Sequence, residues 1–491
     1  LFVPCAQKSI KLNEGLKIFG SYSFYGCSLI SEISIPNSVT TLGENVFGGC
    51  TSLVSINIPG GITTLSDQTF IQCSSLISIS IPESVISIGN NCFSGCSKLT
   101  RITISSKVQT IGIEAFSGCE SLTFIDIPNS VTDIGYGAFI GCSRIRRIKL
   151  PDSITKIERD TFFNCNKLSS IIIPDTVNAI GENAFHLCEE LETVTIPRNV
   201  ATIGISAFTD CRKIKEFIVA EDNQHFTSKD GVVYSKDYST LCFVPSQMKG
   251  SFTVDNRVKT IGACAFNYNQ LSTIIIPDGV TSIGASAFIG CSNLGSINLP
   301  KGLKKIADQT FSECSQITSV TIPEGVESIG IRAFELCGEL KSMKIPDSVN
   351  SIGKCAFSGC VRLSKITLSE NMKAIEPGLF NGSVALESIE IPNSVVSIRE
   401  SAFQDCSSLA KVTFGNGITS IGSMSFASCT SLTKVTLPIN LEIFVTDAFD
   451  GCTSLQEFGV SSKNQFYFCH DGCIYDKVGN ILYSVPNGKK T

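Results

Sequence analysis

A phenylalanine recurs every 23 residues through almost all of this 491-residue chain. It stands at Phe24, Phe47, Phe70, Phe93, Phe116, Phe139, Phe162, Phe185 and Phe208. After one interruption it resumes at Phe266, Phe288, Phe311, Phe334, Phe357, Phe380, Phe403, Phe426 and Phe449. A fixed period of this length predicts a solenoid, in which each repeat is one coil that buries its apolar face only by stacking on the next. Such stacks present long surfaces, so the pattern points to binding more than to catalysis.

One repeat, residues 119–142, shows the physics. Ile125 and Ile127 flank Asp126, a period-two alternation that predicts a short strand with one buried face. Pro128 lacks an amide donor and ends the strand. Val131 and Ile134 predict a second extended segment, and Gly135 is expected to allow a sharp turn. The segment Gly137-Ala138-Phe139-Ile140 is too short for an α-helix and is expected to form one helical or 3₁₀ turn. Stacked coils would place Ile over Ile and Phe over Phe. Ala precedes most of the phenylalanines, with Thr69, Thr161 and Thr310 as polar variants.

The spacing Leu-x-x-Ile-x-Ile-Pro-x-x-Val-x-x-Ile-Gly-x-x-Ala-Phe-x-x-Cys resembles the BspA-like class of leucine-rich repeats over about nine-tenths of the chain. The resemblance implies a right-handed solenoid with a parallel β-sheet on its concave side. It also implies a cell-surface or secreted protein, because members of this class often act as adhesins for host proteins, matrix or other cells.

A longer period overlies the short one. Asn223, Asp230, Gly231, Tyr234, Lys236, Leu241 and Pro245 align without gaps to Asn464, Asp471, Gly472, Tyr475, Lys477, Leu482 and Pro486, each 241 residues later. Asp-Gly between alternating segments is a strong hairpin signal, so each stretch is expected to be a small β-meander inserted in one coil. Phe2-Val3-Pro4 repeats the end of that unit. The expected organisation is a first array over 1–220, a β-hairpin insert coil over 221–250, a second array over 251–460 and a terminal hairpin coil over 461–491. The chain begins with Leu1 inside a hairpin unit and therefore reads as a piece of a longer array, so the lack of a leader or membrane anchor in it says nothing of the parent protein.

Composition narrows the function classes. Charged residues make up only 17% and the net charge is −5, which argues against a nucleic-acid partner. There are 23 cysteines, and sixteen of them stand three residues after the Phe, with Asn269 and Ser383 in the two remaining places. Stacked equivalents point the same way, so a ladder of reduced, buried thiols is expected rather than disulfides. The tight group Cys469-His470-Asp471-Gly472-Cys473 is open to three readings: plain hairpin residues, a local disulfide, or part of a metal site. Ser228 and Val232 hold the cysteine places in the first hairpin, which favours the plain one. His186 and His225 are isolated, and no nucleophile, phosphate-loop or metalloprotease motif occurs, so neither an enzyme nor a cofactor is expected. Asn381-Gly382-Ser383 is a glycosylation sequon.

The outward positions of the first strand of each coil are the expected ligand face. Most are small and polar, as on an idle solvated sheet. Two spots differ. One joins Arg101, Phe124, Asp126, Arg147 and Lys149, with Arg144 and Arg146 beside them. The other is a row of Lys344, Lys365, Lys411 and Lys434. A plain solvated face is one reading of these spots, and a site for an acidic protein or anionic glycan is the sharper one. With the long array and the resemblance, the expectation is an adhesin-like protein that binds on the concave face, with the hairpin units as the rival site. The alternative is a cytoplasmic interaction scaffold using the same surface. Oligomeric state and ligand identity are not written in the sequence.

Overall fold

The computed structural model describes residue 8 and residues 10–489; the Phe2-Val3-Pro4 match and Cys5 lie outside the described residues. The chain divides into two units, residues 1–236 with 245–247, and residues 237–244 with 248–491.

In the first unit each ordinary coil carries a strand of three or four residues and a strand of two. Phe124–Asp126 shows the alternation expected of it, with Ile125 buried between two exposed neighbours. It pairs in parallel with Arg147–Lys149, Phe124 opposite Arg147 and Asp126 opposite Lys149. The two-residue strand Asp133–Ile134 pairs in parallel with Thr110–Ile111. Register is 23 residues throughout, so every side-chain position of the repeat becomes a column running along the stack.

The Phe segment is not helical, and among the described residues there is no helix at all. Gly137 and Gly141 bracket Phe139 with φ of 63° and 68°, in the left-handed region that ends any right-handed helix. Two turns result, closed by the amide of Ile140 donating to Gly137 and that of Cys142 donating to Phe139. The alternate amides of Gly137, Phe139 and Gly141 donate instead to Arg159, Thr161 and Phe163 of the next coil, at 3.1, 3.0 and 2.8 Å. The turn thus works as a third hydrogen-bonded ladder, which satisfies buried backbone that a single 3₁₀ turn would leave unpaired. Gly135 is likewise not a turn glycine. A Cβ there would lie 2.5 Å from the backbone nitrogen of Ile113, so the position is set by close approach of the preceding coil.

The core of this unit is a ring stack. Phe116 and Phe139 have centroids 5.5 Å apart and planes 4° apart, within the range favoured for offset stacking. The series runs from Phe24 through Phe185 to Phe208 and ends on Phe217, which meets Phe208 at 67°. The buried Thr69, Thr161 and Thr310 hydroxyls each donate to the carbonyl three residues back at 2.7 Å.

The second unit repeats these rules. Ser388–Glu390 pairs in parallel with Lys411–Thr413, and Ser397–Ile398 with Ser420–Ile421. Its stack runs from Phe266 to Phe449 and closes edge-on against Phe458.

Both hairpins form on Asp-Gly, with Asp230 at φ 52° and Gly231 at 79°, and Asp471 at 48° and Gly472 at 69°, as a type I′ turn requires. Phe226–Lys229 pairs antiparallel with Val232–Ser235. The later copy is a three-stranded meander of Tyr467–His470, Cys473–Asp476 and Leu482–Ser484. Each is clamped by a fully buried asparagine. Asn223 donates to the carbonyls of Pro197 and Val200 and accepts from the amides of His225 and Phe226. Asn464 does the same toward Pro438, Ile439, Leu441, Phe466 and Tyr467.

The cysteine ladder carries a hydrogen bond as well as packing. Cys73, Cys119, Cys337 and Cys452 donate their thiols to the carbonyls of Phe47, Phe93, Phe311 and Phe426, each the phenylalanine of the preceding coil, at 3.1–3.3 Å. Ser383 makes the same bond to Phe357 at 3.0 Å, which explains why serine replaces cysteine there. The sequon's hydroxyl is therefore committed to the core. Burial pushes these thiols up, to about 12 for Cys96, Cys165, Cys360 and Cys406 and about 11 for Cys452.

Candidate binding surface

The three-residue strands of the first unit carry two outward columns. One column runs Ser78, Arg101, Phe124, Arg147, Ser170, and the other Ser80, Thr103, Asp126, Lys149, Ile172. The first basic spot spans three successive coils: Arg101 and Arg147 stand one coil to either side of Phe124, which is 50% exposed, and the Phe124 and Arg147 strands are paired while Arg101–Thr103 ends the preceding sheet. Arg144 and Arg146 are exposed on the approach to the same strand. No ion pair among the described residues involves Arg101, Arg144, Arg146, Arg147 or Lys149, although Asp126 faces Lys149 in the register. Five cations thus share one short stretch of sheet with a single carboxylate in its columns.

The spot ends where acids begin. Lys167 and Lys213 both pair with Glu190, and Lys215 pairs with Glu192 at 2.7 Å. The lysines of these coils are ion-paired, unlike Arg101, Arg147 and Lys149.

Sequence reasoning missed Ile172 on this face. It follows Lys149 in the second column and is 82% exposed. The run Ile171-Ile172-Ile173 reads as a buried stretch, but the repeat frame puts its middle residue in the outward column of Asp126 and Lys149.

Of the lysine row of the second unit, Lys365, Lys411 and Lys434 hold the first position of their strands and Lys344 does not. Register puts Lys365 opposite Ser342 and Lys344 opposite Thr367, so Lys344 stands in the other column. Ser388 separates Lys365 from Lys411. Lys344 lies 3.9 Å from Glu324, and Lys434 is ion-paired with Glu457. Only Lys365 and Lys411 remain comparable to the arginines.

The Cys469–Cys473 group is divided by strand alternation. Cys469 pairs with Ile474 and His470 with Cys473, which puts the two cysteines on opposite faces of the hairpin. Cys469 donates to the carbonyl of Phe458 at 2.8 Å. Among the described residues no three or more His, Cys, Asp and Glu side chains are grouped to hold a metal ion. His186 packs edge-on against Phe163 and lies 3.4 Å from Asp210, which Arg212 also meets at 2.9 Å. Burial disfavours the Asp210 carboxylate, but the bonds from His186 and Arg212 outweigh it and hold its pKa below the ordinary value.

These features define a leucine-rich repeat solenoid with an unneutralised cationic patch. The chain belongs to the BspA-type leucine-rich repeat family, whose repeat region matches residues 1–123, 109–229, 239–361 and 327–456. It is similar to a leucine-rich cell surface protein from Faecalibacterium prausnitzii, with 29% identity over 72% of this chain and 83% of that one, at a TM-score of 0.53. A leucine-rich repeat protein from Bacteroides ovatus is also 29% identical, over 77% and 83% of the two chains, at a TM-score of 0.44. The pneumococcal vaccine antigen PcpA is 21% identical over 93% and 87%, at 0.40. No curated protein matches the chain. Among the described residues no helix is long and apolar enough to cross a membrane.

Proposed function

We propose that this is a cell-surface binding protein of the adhesin type, which engages an anionic protein or glycan on the sheet face of its first array. The observation that carries this reading is the column Arg101–Phe124–Arg147 with Lys149 beside it: exposed cations, none ion-paired, around a half-exposed aromatic ring. Desolvated Arg and aromatic side chains dominate binding energy at interfaces, and unneutralised charge steers an oppositely charged ligand. The similarity to a leucine-rich cell surface protein supports the location. A repeat fold without a catalytic constellation supports a binding role.

The test uses the full chain over surfaces carrying polyglutamate or heparin, at rising salt. Binding to at least one is expected. The triple change Arg101→Ser, Arg147→Ser, Lys149→Ser is expected to weaken it more than tenfold and to flatten its salt dependence. Unchanged binding by the triple variant, with loss on changing His225 and Lys229 to Ser, moves the site to the first hairpin and refutes the sheet-face reading.

A further inference from the structure

We infer that the ligand of this face is an extended acidic polypeptide segment, with carboxylates three residues apart and apolar side chains between them. This rests on the binding role proposed above and adds the chemical class of the ligand.

Spacing is the first argument. Arg101 and Arg147 occupy one column two coils apart. Paired parallel strands lie about 4.7–4.9 Å apart, as those of Phe124 and Arg147 do; the Arg101 strand stacks on that of Phe124 as the next coil although it ends a separate sheet, so the two arginines are rooted roughly 10 Å from each other. A chain in polyproline II conformation rises about 3.1 Å per residue with three residues per turn, so positions i and i+3 fall on one side about 9.3 Å apart. Carboxylates so placed meet both guanidinium groups, which take carboxylates in a bidentate fork. Such a segment runs along the column and lays its intervening residues over Phe124.

The apolar surface decides between a polypeptide and a glycan. Ile172 is 82% exposed and directly follows Lys149 in the second column. With Phe124 it gives the cationic patch an apolar group at its centre and another at its edge. A polyanionic glycan gains nothing from an aliphatic side chain. A peptide that pairs acidic with apolar residues uses both, because burying each side chain removes apolar area from water. Charge supplies the other half of the match, since no carboxylate of the described residues is ion-paired with these cations.

The experiment measures the full chain against synthetic peptides of Glu-Pro-Leu, Gln-Pro-Leu and Glu-Pro-Gly repeats, and against heparin. Proline favours the extended form in all three peptides. The Glu-Pro-Leu peptide is expected to bind at least tenfold more tightly than Gln-Pro-Leu, and several-fold more tightly than Glu-Pro-Gly. Ile172→Ser should bring Glu-Pro-Leu down to the level of Glu-Pro-Gly without changing heparin binding or the melting temperature, and Phe124→Ser should lower Glu-Pro-Leu binding to the same level with the melting temperature unchanged. Arg101→Ser with Arg147→Ser should abolish the difference between Glu and Gln peptides. Heparin binding without peptide binding would overturn this inference and leave the sheet-face reading standing. Peptide binding indifferent to all four changes would overturn it too, and an array that binds neither probe would end both.

Discussion

Three coils of the first array and three of the second repeat one charge pattern with different chemistry. Arg101, Phe124 and Arg147 stand in the first column where Lys365, Ser388 and Lys411 stand in the second array. Thr103, Asp126 and Lys149 beside them correspond to Thr367, Glu390 and Thr413. The inward Ile102, Ile125 and Ile148 match Ile366, Ile389 and Val412. The scaffold is thus indifferent to what its outward columns carry. Where the first array has planar guanidinium groups around a ring, the second has flexible ammonium groups around a serine, and the lysines of neighbouring coils are neutralised by Glu324 and Glu457. If this fold binds through its sheet face, recognition is written in columns that differ from their twins by single outward side chains.

If the inward positions are equivalent, damage to them should be equal in size and separate in place. Phe139→Ala and Phe334→Ala each remove a fully buried ring from a stack, and each should cost about 3–5 kcal/mol. Coupling in a solenoid runs between neighbours, so hydrogen exchange should accelerate first in the array that carries the change. Acceleration spread evenly over both arrays would break the comparison. The hairpin clamps come next. Asn223→Ala leaves the carbonyls of Pro197 and Val200 and two amides without their partner, and buried groups left so cost about 1–3 kcal/mol each. Protection should fall over 226–235 for Asn223→Ala and over 467–476 for Asn464→Ala, each leaving the other hairpin intact.

The thiol ladder separates the arrays more finely. Nine ladder cysteines lie in the first, from Cys27 to Cys211, and seven in the second, from Cys291 to Cys452, with Asn269 and Ser383 in the other places. Burial raises the folded pKa of buried ladder thiols such as Cys96 and Cys360, both to about 12, against about 8.5 in an unfolded chain. An acid whose folded pKa is raised contributes stability that is whole below the unfolded value and lost as pH rises toward the folded one. Burial raises seven ladder thiols in the first array, from Cys73 to Cys211, and six in the second, from Cys314 to Cys452, so both arrays should weaken as pH rises from about 8.5 toward 12, by up to roughly 1.4 kcal/mol per thiol per pH unit, and the first more steeply. Thiol-labelling rates at rising pH, resolved by peptide mapping, would show it; equal rates, or earlier labelling of the second array, would contradict it. Cys119→Ser should keep the bond to Phe93, while Cys119→Ala should cost about 1 kcal/mol through the lost donor.

Much of this was legible because the repeat is so regular. The period fixed which residues stack, so Ile125 facing inward between Phe124 and Asp126 could be read directly. The turn geometry could not, because the left-handed residues are glycine at Gly137 but Glu114 and Asn91 in neighbouring coils, and no single residue type marks the position. Gly135 reads as a turn glycine in one dimension and shows its close contact only once the preceding coil is in place. The thiol bond was hidden because cysteine passes for a small hydrophobe, and the oxygen of Ser383 was the only clue. The cationic patch was readable as a column, but the ion pairs of Lys344 and Lys434 were not. Glu324 lies outside the strand positions that define the columns, and only the folded register brings it to Lys344.

The smallest structural change gives the sharpest form of the comparison. Ser388→Phe, with Lys365→Arg and Lys411→Arg, rebuilds the Arg101–Phe124–Arg147 column in the second array, with Glu390 in the place of Asp126. All three positions are exposed, so stability should shift by less than about 0.5 kcal/mol. A ring on a strand surface is acceptable to β-structure, and Phe124 shows that this fold carries one there. If the ligand is read by the column alone, the grafted chain carries two sites, and binding of the Glu-Pro-Leu peptide should double in stoichiometry at similar salt dependence. The graft lacks Lys149 and Ile172, because Thr413 and Thr436 stand in their places. The second site should therefore be weaker than the first, and adding Thr413→Lys with Thr436→Ile should close the gap. A graft that gains no second site even with all five changes would show that the columns alone do not define the surface, and that Arg144 and Arg146, which the second array lacks at the matching positions, belong to the recognition face as well.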